Sequence, residues 1–287
     1  MSIETYPVPT PMITGRSGYG SAPWFSGQRN AVSWLGSDGL VLNEFDLSSS
    51  QFRQRRLAYQ SVAAVPRRSG EGMALVHATG FGSLHNDTHD VIETLPAEAG
   101  LLNTGQVDPR GRLWAASASS EAGAGRGRLR RWDGSATSVG ASRGFERPTG
   151  IGWSPDGLTM YLLDGGTRRL YGAPFLPDEG VVGEFEGLCD LDLPGEPAGL
   201  AVDVDGLLWI GVRSLGQIRR IDPKGRLVGF TSTTSTELTG CAFDAHGGLY
   251  ITADAPSTPQ STGTSLAGSL CRLDTPTRGV TIASFDA

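Results

Sequence analysis

Four segments of this chain share one wording: Asp108-Pro-Arg-Gly-Arg-Leu-Trp114, Ser154-Pro-Asp-Gly-Leu-Thr-Met-Tyr161, Asp203-Val-Asp-Gly-Leu-Leu-Trp209 and Asp244-Ala-His-Gly-Gly-Leu-Tyr250. A repeated turn means a repeated fold unit. The shared glycines, Gly111, Gly157, Gly206 and Gly247, stand 46, 49 and 41 residues apart. Periods of about 40–50 residues are those of propeller blades. The Asp-Gly and Gly-Gly pairs supply the positive φ angles of tight hairpins, so they are read as architecture and given no chemistry.

Each repeat continues as apolar alternation, a turn, a second run ending in small residues and a third strand such as Gln217-Ile-Arg-Arg-Ile-Asp222. That is an antiparallel meander of four strands. Inner strands are expected to start near Ser21, Ser61, Asn103, Thr149, Ala198 and Gly240, which predicts an all-β, six-bladed propeller over residues 1–287 as one domain. Third strands are expected near Leu40–Asp46, Phe81–Leu84, Arg128–Trp132, Arg169–Tyr171, Gln217–Asp222 and Ser269–Asp274. No stretch holds the apolar i, i+3, i+4, i+7 spacing of an amphipathic helix.

The net charge of −6 argues against nucleic acid, which needs clustered positive charge. Lys224, the only lysine, lies in a Pro-Lys-Gly turn that suits neither a Schiff base nor a phosphate site. Cys189, Cys241 and Cys271 lack metal-ligand spacing, and three cysteines cannot pair completely, which fits a reduced, cytoplasmic setting. No run of eighteen apolar residues occurs, so no membrane role is expected. A small molecule is the expected partner, and the oligomeric state is left open.

Residues 103–253 resemble the senescence-marker-protein/gluconolactonase/luciferin-regenerating-enzyme, or regucalcin-like, family of six-bladed propellers. Asn103-Thr-Gly-Gln-Val-Asp-Pro-Arg-Gly-Arg112, Pro148-Thr-Gly-Ile-Gly-Trp-Ser-Pro-Asp-Gly157 and Pro197-Ala-Gly-Leu-Ala-Val-Asp-Val-Asp-Gly206 carry the likeness. The first hundred residues share it weakly, through Ser21-Ala-Pro-Trp-Phe25 and the segment from Asp38 to Asp46. The resemblance implies a divalent cation held by Glu, Asn and Asp and used to polarise a lactone. Here the three positions fall on Ser21, Thr149 and Ala198. Two hydroxyls and a methyl offer no charge against the dehydration cost of a hard cation, so no metal cofactor is expected. The same resemblance makes Asn103 a substrate contact and places Leu101 where the family has Arg, implying a less polar ligand. It also suggests that the connection containing Glu121 and Arg126 folds over the cavity.

Antiparallel geometry puts first-strand starts and second-strand ends on one face. The expected mouth ring is therefore Trp34, Leu35, His77, Ser117, Ser119, Asp164, Arg213 and Asp254. His77, Asp164 and Arg213 are the candidate catalytic groups, as general acid–base or oxyanion partners. Ser21, Asn103, Thr149, Ala198 and Glu121 are the candidate substrate-binding positions. Each catalytic candidate has a structural competitor: a hydrogen-bonded core histidine, a turn-capping aspartate and a surface ion pair. His85-Asn-Asp-Thr-His-Asp90 joins two strands, where four-residue histidine spacing does not align ligands, and reads as a solvated turn. Gly123-Ala-Gly-Arg-Gly-Arg128 lacks the Lys-Ser/Thr of a phosphate loop.

Three functions stay open. One is a metal-independent enzyme acting on a small, partly apolar cyclic or lactone-like molecule by hydrolysis, isomerisation or cyclisation. The others are a noncatalytic small-molecule binding protein and a metal-dependent lactonase with other ligands.

Overall fold

The repeated turn glycines are left-handed, with φ of +91° at Gly111, +72° at Gly157, +76° at Gly206 and +93° at Gly247. Only glycine takes that conformation freely, which is why the motif recurs. The aspartates beside three of these glycines do more than close a turn. Asp203 is fully buried; one oxygen accepts the Asp205 and Leu207 N–H groups, and the other accepts the Trp209 indole N–H at 2.9 Å and Arg220 Nε at 2.8 Å. Asp108 does the same for the Arg110 and Arg112 amides, Arg112 Nε and the Trp114 indole. Asp244 caps His246 and Gly248 and accepts from the Tyr250 hydroxyl. Ser154 replaces the aspartate in the remaining repeat and caps Thr159 through its hydroxyl.

The computed structural model describes residues 3–13, 21–36, 38–121, 123–141, 143–254 and 270–286. Its strands form six sheets, each with at least four strands in an antiparallel meander or its equivalent, arranged as the blades of a propeller. Inner strands are Ser21–Ser26, Ser61–Pro66, Leu102–Val107, Pro148–Trp153, Glu196–Val202 and Leu238–Phe243. Third strands are Val41–Asp46, Gly80–His85, Leu129–Trp132, Arg169–Leu176, Gln217–Ile221 and Leu270–Asp274. The only helical element among the described residues is a single turn at Ala97–Ala99. No helix there is long and apolar enough to cross a membrane.

Three features lay outside the sequence repeat. The outer strand of the last blade is N-terminal: Thr10–Ile13 pairs antiparallel with Leu270–Asp274, so the chain's two ends close the ring within one sheet. Glu4–Thr5 adds a parallel fifth strand to the neighbouring blade. The segment after Asp274 then crosses the base. Val280 N–H donates to Val202 O, and Val280, Thr281 and Ile282 line a small cavity with the inner-strand ends at Trp153, Val202 and Phe243. Farther on, Phe285 bridges to Arg67, stacks on Trp132 at 5.1 Å and is only 1% exposed. The base is thereby covered by the chain's own C-terminal segment.

Burial of Phe285 between two blades makes this segment a structural staple. Phe285→Ala is expected to lower unfolding free energy by about 3–5 kcal/mol, the range for deleting a buried aromatic ring. Urea denaturation followed by tryptophan fluorescence measures it.

Candidate functional site

All six inner strands lose register where they enter their sheets: between Ser21 and Trp24, Ser61 and Ala63, Leu102 and Thr104, Pro148 and Gly150, Ala198 and Leu200, and Leu238 and Gly240. A bulge leaves a residue unpaired and re-aims it. The unpaired positions are Ala22 with Pro23, Val62, Asn103, Thr149, Gly199 and Thr239. Every one lines a single central cavity of about 340 Å³. Six similar irregularities thus build one site.

Within the ring, polar side chains tie blade to blade. Asn103 Nδ2 donates to Pro148 O at 2.6 Å, and Thr149 Oγ1 donates to Pro197 O at 3.1 Å. With its amide nitrogen committed, Asn103 keeps its carbonyl oxygen as a hydrogen-bond acceptor. Two guanidinium groups border the cavity. Arg147 pairs with Glu196 at 3.1 Å; Arg213 donates through Nε to Glu237 at 2.9 Å and through Nη2 to Asp254 at 2.7 Å. Burial works against the charge of Arg213, but the two carboxylates overcome it and raise its pKa. Asp38 is also in the wall and is exposed, with no ion pair or hydrogen bond among the described residues. Its backbone is left-handed, φ +58°.

Of the sequence candidates, Ser21, Asn103, Thr149, Ala198 and Arg213 come together in this cavity, with Leu35 and Asp254. His77 and Asp164 do not line it. Asp164 is fully buried because its carboxylate accepts four backbone N–H groups, from Glu146, Arg147, Gly166 and Thr167. It fixes the approach of Arg147 instead of facing a ligand. Trp34, Ser117 and Ser119 are likewise outside the lining. Glu121 pairs with Arg126 at 3.5 Å, both mostly exposed, while Glu146 accepts the Gly123 and Gly125 N–H groups of their loop. Leu101 is 60% exposed and also lies outside the cavity, so its apolar character does not reach the ligand space. The wall carries instead the amides of Gln60, Asn103 and Gln106 beside several hydroxyls.

Asp38, Gln60, Arg147 and Glu196 were not singled out from the sequence. Asp38 begins the described part of the turn joining second and third strands. That turn must lie on the mouth face, a placement that antiparallel geometry alone could have suggested. Cys241 also lines the cavity, but burial pushes its thiol up to about 12, and its Sγ–H donates to Trp209 O. It is an inert wall.

The cation that the resemblance implies has no matching donor set. Thr149 spends its proton on Pro197 O, Ala198 has no donor atom, and no three His, Cys, Asp or Glu side chains among the described residues gather to hold a metal ion. A hard divalent ion needs six to eight oxygens, usually including carboxylates. The residues at these positions do not fit one.

His77 lies behind Ser61, its Nδ1 3.3 Å from Ser61 Oγ and its Nε2 3.4 Å from His89 Nε2. The turn from His85 to Asp90 is therefore not wholly solvated, because His89 folds inward while His85 stays exposed. Burial, then the nearby His89, lowers the His77 pKa to about 4. The folded state keeps this ring neutral while an unfolded chain would protonate it near the ordinary value of 6.5. Its contribution is whole above about pH 6.5 and is lost as pH falls toward 4, by about 3 kcal/mol. His77→Gln is expected to flatten that part of the stability profile, measured by urea denaturation at pH 7 and pH 4.5.

Comparison with known proteins agrees with the architecture. The chain is 25% identical over 247 residues to YvrE of Bacillus subtilis (strain 168), provisionally named a sugar lactone lactonase, covering 83% of this chain and 84% of that one. It is 28% identical over 183 residues to the pentonolactonase XacC of Haloferax volcanii, covering 60% and 62%. The solved regucalcin of Agrobacterium tumefaciens str. C58 superposes with a TM-score of 0.86 at 18% identity, over 100% of this chain and 99% of that one. The family model described as SMP-30/Gluconolactonase/LRE-like region matches residues 19–255. The chain therefore belongs to the SMP-30/gluconolactonase/LRE-like family.

Proposed function

We propose that the protein hydrolyses a small hydroxylated lactone in its central cavity by acid–base chemistry, with no cation on the axis. The observation that carries this reading is Asp38, a cavity-lining carboxylate without a partner among the described residues. A carboxylate not committed to an arginine can take a hydrogen bond from a water molecule placed beside it. Asp38 takes a proton from the water that attacks the ring carbonyl. The carbon–ring-oxygen bond then breaks, the leaving oxygen takes that proton back, and the product is an open-chain hydroxy acid. Lactone and water balance the product without a redox partner.

The surroundings support a hydroxylated ring. A volume of about 340 Å³ suits one monocyclic molecule, near the lower end of small-ligand pockets. Asn103 Oδ1 is available to accept from a ligand hydroxyl, while Arg213, held by Glu237 and Asp254, offers an anchor of fixed direction. Trp24, Ile151 and Leu200 give the wall its apolar part. The lactonase names of the relatives YvrE and XacC point to the same substrate class.

D-Glucono-δ-lactone and L-arabinono-γ-lactone are the first substrates to try, followed by pH-stat titration of released acid. Protein dialysed against EDTA is expected to keep its activity within about twofold, and Asp38→Asn to lower kcat by about 100-fold or more, the contribution of a positioned base. Loss of activity with EDTA and its return with one divalent metal would overturn the metal-free mechanism. Saturable binding of a lactone without hydrolysis would replace the enzyme reading by a binding role.

A further inference from the structure

Asp38 has Ser61 of the next blade as a neighbour in the cavity wall. Gly39 O accepts the Ser61 N–H at 2.9 Å, and a Cβ at Gly39 would come within 2.1 Å of Ser61 O. The turn bearing Asp38 is thus docked on the start of the next blade's inner strand. Ser61 itself belongs to the cavity wall. Behind it stand two imidazoles in series, an expensive arrangement that the propeller scaffold does not require.

Proton positions along this series follow from one backbone amide. Ala58 N–H donates to His89 Nδ1 at 3.1 Å. A neutral imidazole carries one proton, so an accepting Nδ1 puts it on Nε2. His89 Nε2–H then donates across 3.4 Å to His77 Nε2, which puts the His77 proton on Nδ1, and Nδ1–H donates to Ser61 Oγ at 3.3 Å. Gly82 keeps the path open, because a Cβ there would lie 2.3 Å from His77 Nε2. Tyr59 sets its ring edge-on to both imidazoles, and burial lowers the pKa of each, so both stay neutral near pH 7.

This direction matters for the serine. Facing a proton on His77 Nδ1, Ser61 cannot hand its own proton to the ring, so the pair is not a serine nucleophile with its base. Ser61 Oγ accepts from His77 and keeps its proton to give. Its partner for that proton is Tyr59 O, at a long 3.3 Å. A hydroxyl that accepts a hydrogen bond becomes a stronger donor, since the two bonds polarise each other.

We propose that Ser61 donates its hydroxyl hydrogen bond to the carbonyl oxygen of a bound lactone, primed by the Ala58–His89–His77 series, and so stabilises the developing oxyanion. This inference rests on the lactone-hydrolysis reading. Ser61 is the group that touches the substrate; His77 and His89 are positioning residues. No proton is transferred through the series, and no covalent bond to Ser61 forms. The arrangement supplies by hydrogen bonding the carbonyl polarisation that a cation on the axis would otherwise supply.

The experiment combines kinetics with nitrogen NMR on the full chain, using D-glucono-δ-lactone and L-arabinono-γ-lactone. Ser61→Ala is expected to lower kcat by about 100-fold with KM changed by less than about threefold, as for loss of one oxyanion donor. Ser61→Thr, which keeps the hydroxyl, should recover most of the rate. His77→Gln, which keeps an N–H donor, should retain more kcat than His77→Leu at matched thermal stability. Long-range ¹H–¹⁵N spectra at pH 7 should show the proton of His77 on Nδ1 and that of His89 on Nε2. Hydrolysis undiminished in Ser61→Ala, or a His77 proton on Nε2, would overturn this inference and leave the lactonase reading standing. Failure of the unmodified protein to hydrolyse either lactone would overturn both.

Discussion

A carboxylate buried inside a hairpin is costly unless every lone pair is met, and three blades are built around one that is. Asp108, Asp203 and Asp244 each turn one oxygen to backbone amides of their own turn and the other to an aromatic donor six residues on. The first contact fixes the turn. The second fixes where the next strand's large ring goes, and hence the packing between blades. At Asp203 the charge is also matched by Arg220, which is 6% exposed and lies over the Trp209 ring. Removing one member would leave a buried charge or indole N–H without a partner, so aspartate, aromatic and arginine act as a unit.

Those hairpins hold the inner strands at their far ends and leave the near ends free to bulge. The bulges deliver the cavity wall, because a residue that drops out of pairing points where strict alternation would not send it. Asn103 and Thr149 then use that freedom twice, as wall and as ties to the following blade. Gly199, left-handed at φ +70°, gives the fifth blade a bulge without a side chain, and a Cβ there would meet Gly240 at 2.6 Å. The ring of blades closes tightly at this point and cannot accept a larger residue.

The blade count, the third strands and the convergence of Ser21, Asn103, Thr149 and Ala198 were legible because the repeated turns set a register that runs unbroken from blade to blade. Arg213 reached the cavity as its position at a second-strand end implied. His77 and Asp164 occupy equivalent strand ends but meet different neighbours. Four amides claim Asp164, and Ser61 stands in front of His77. Position along a strand says which end a side chain occupies, and says nothing about which neighbour covers it. Asp38 shows the converse, a residue inside an ordinary turn signal that becomes notable only because no arginine among the described residues pairs with it.

Sequence alone determined the local chemistry of this protein: where the chain turns, which residues alternate, and the absence of carboxylates at Ser21, Thr149 and Ala198. These depend on residues within a few positions of one another, or on a register that repeats. Tertiary structure alone decided the rest. The N-terminal strand completes the last blade, the C-terminal segment covers the base, and His89 crosses Gly82 to reach His77. Such contacts join residues from different strands or opposite ends of the chain, and their partners are chosen by packing in three dimensions, which no periodicity encodes.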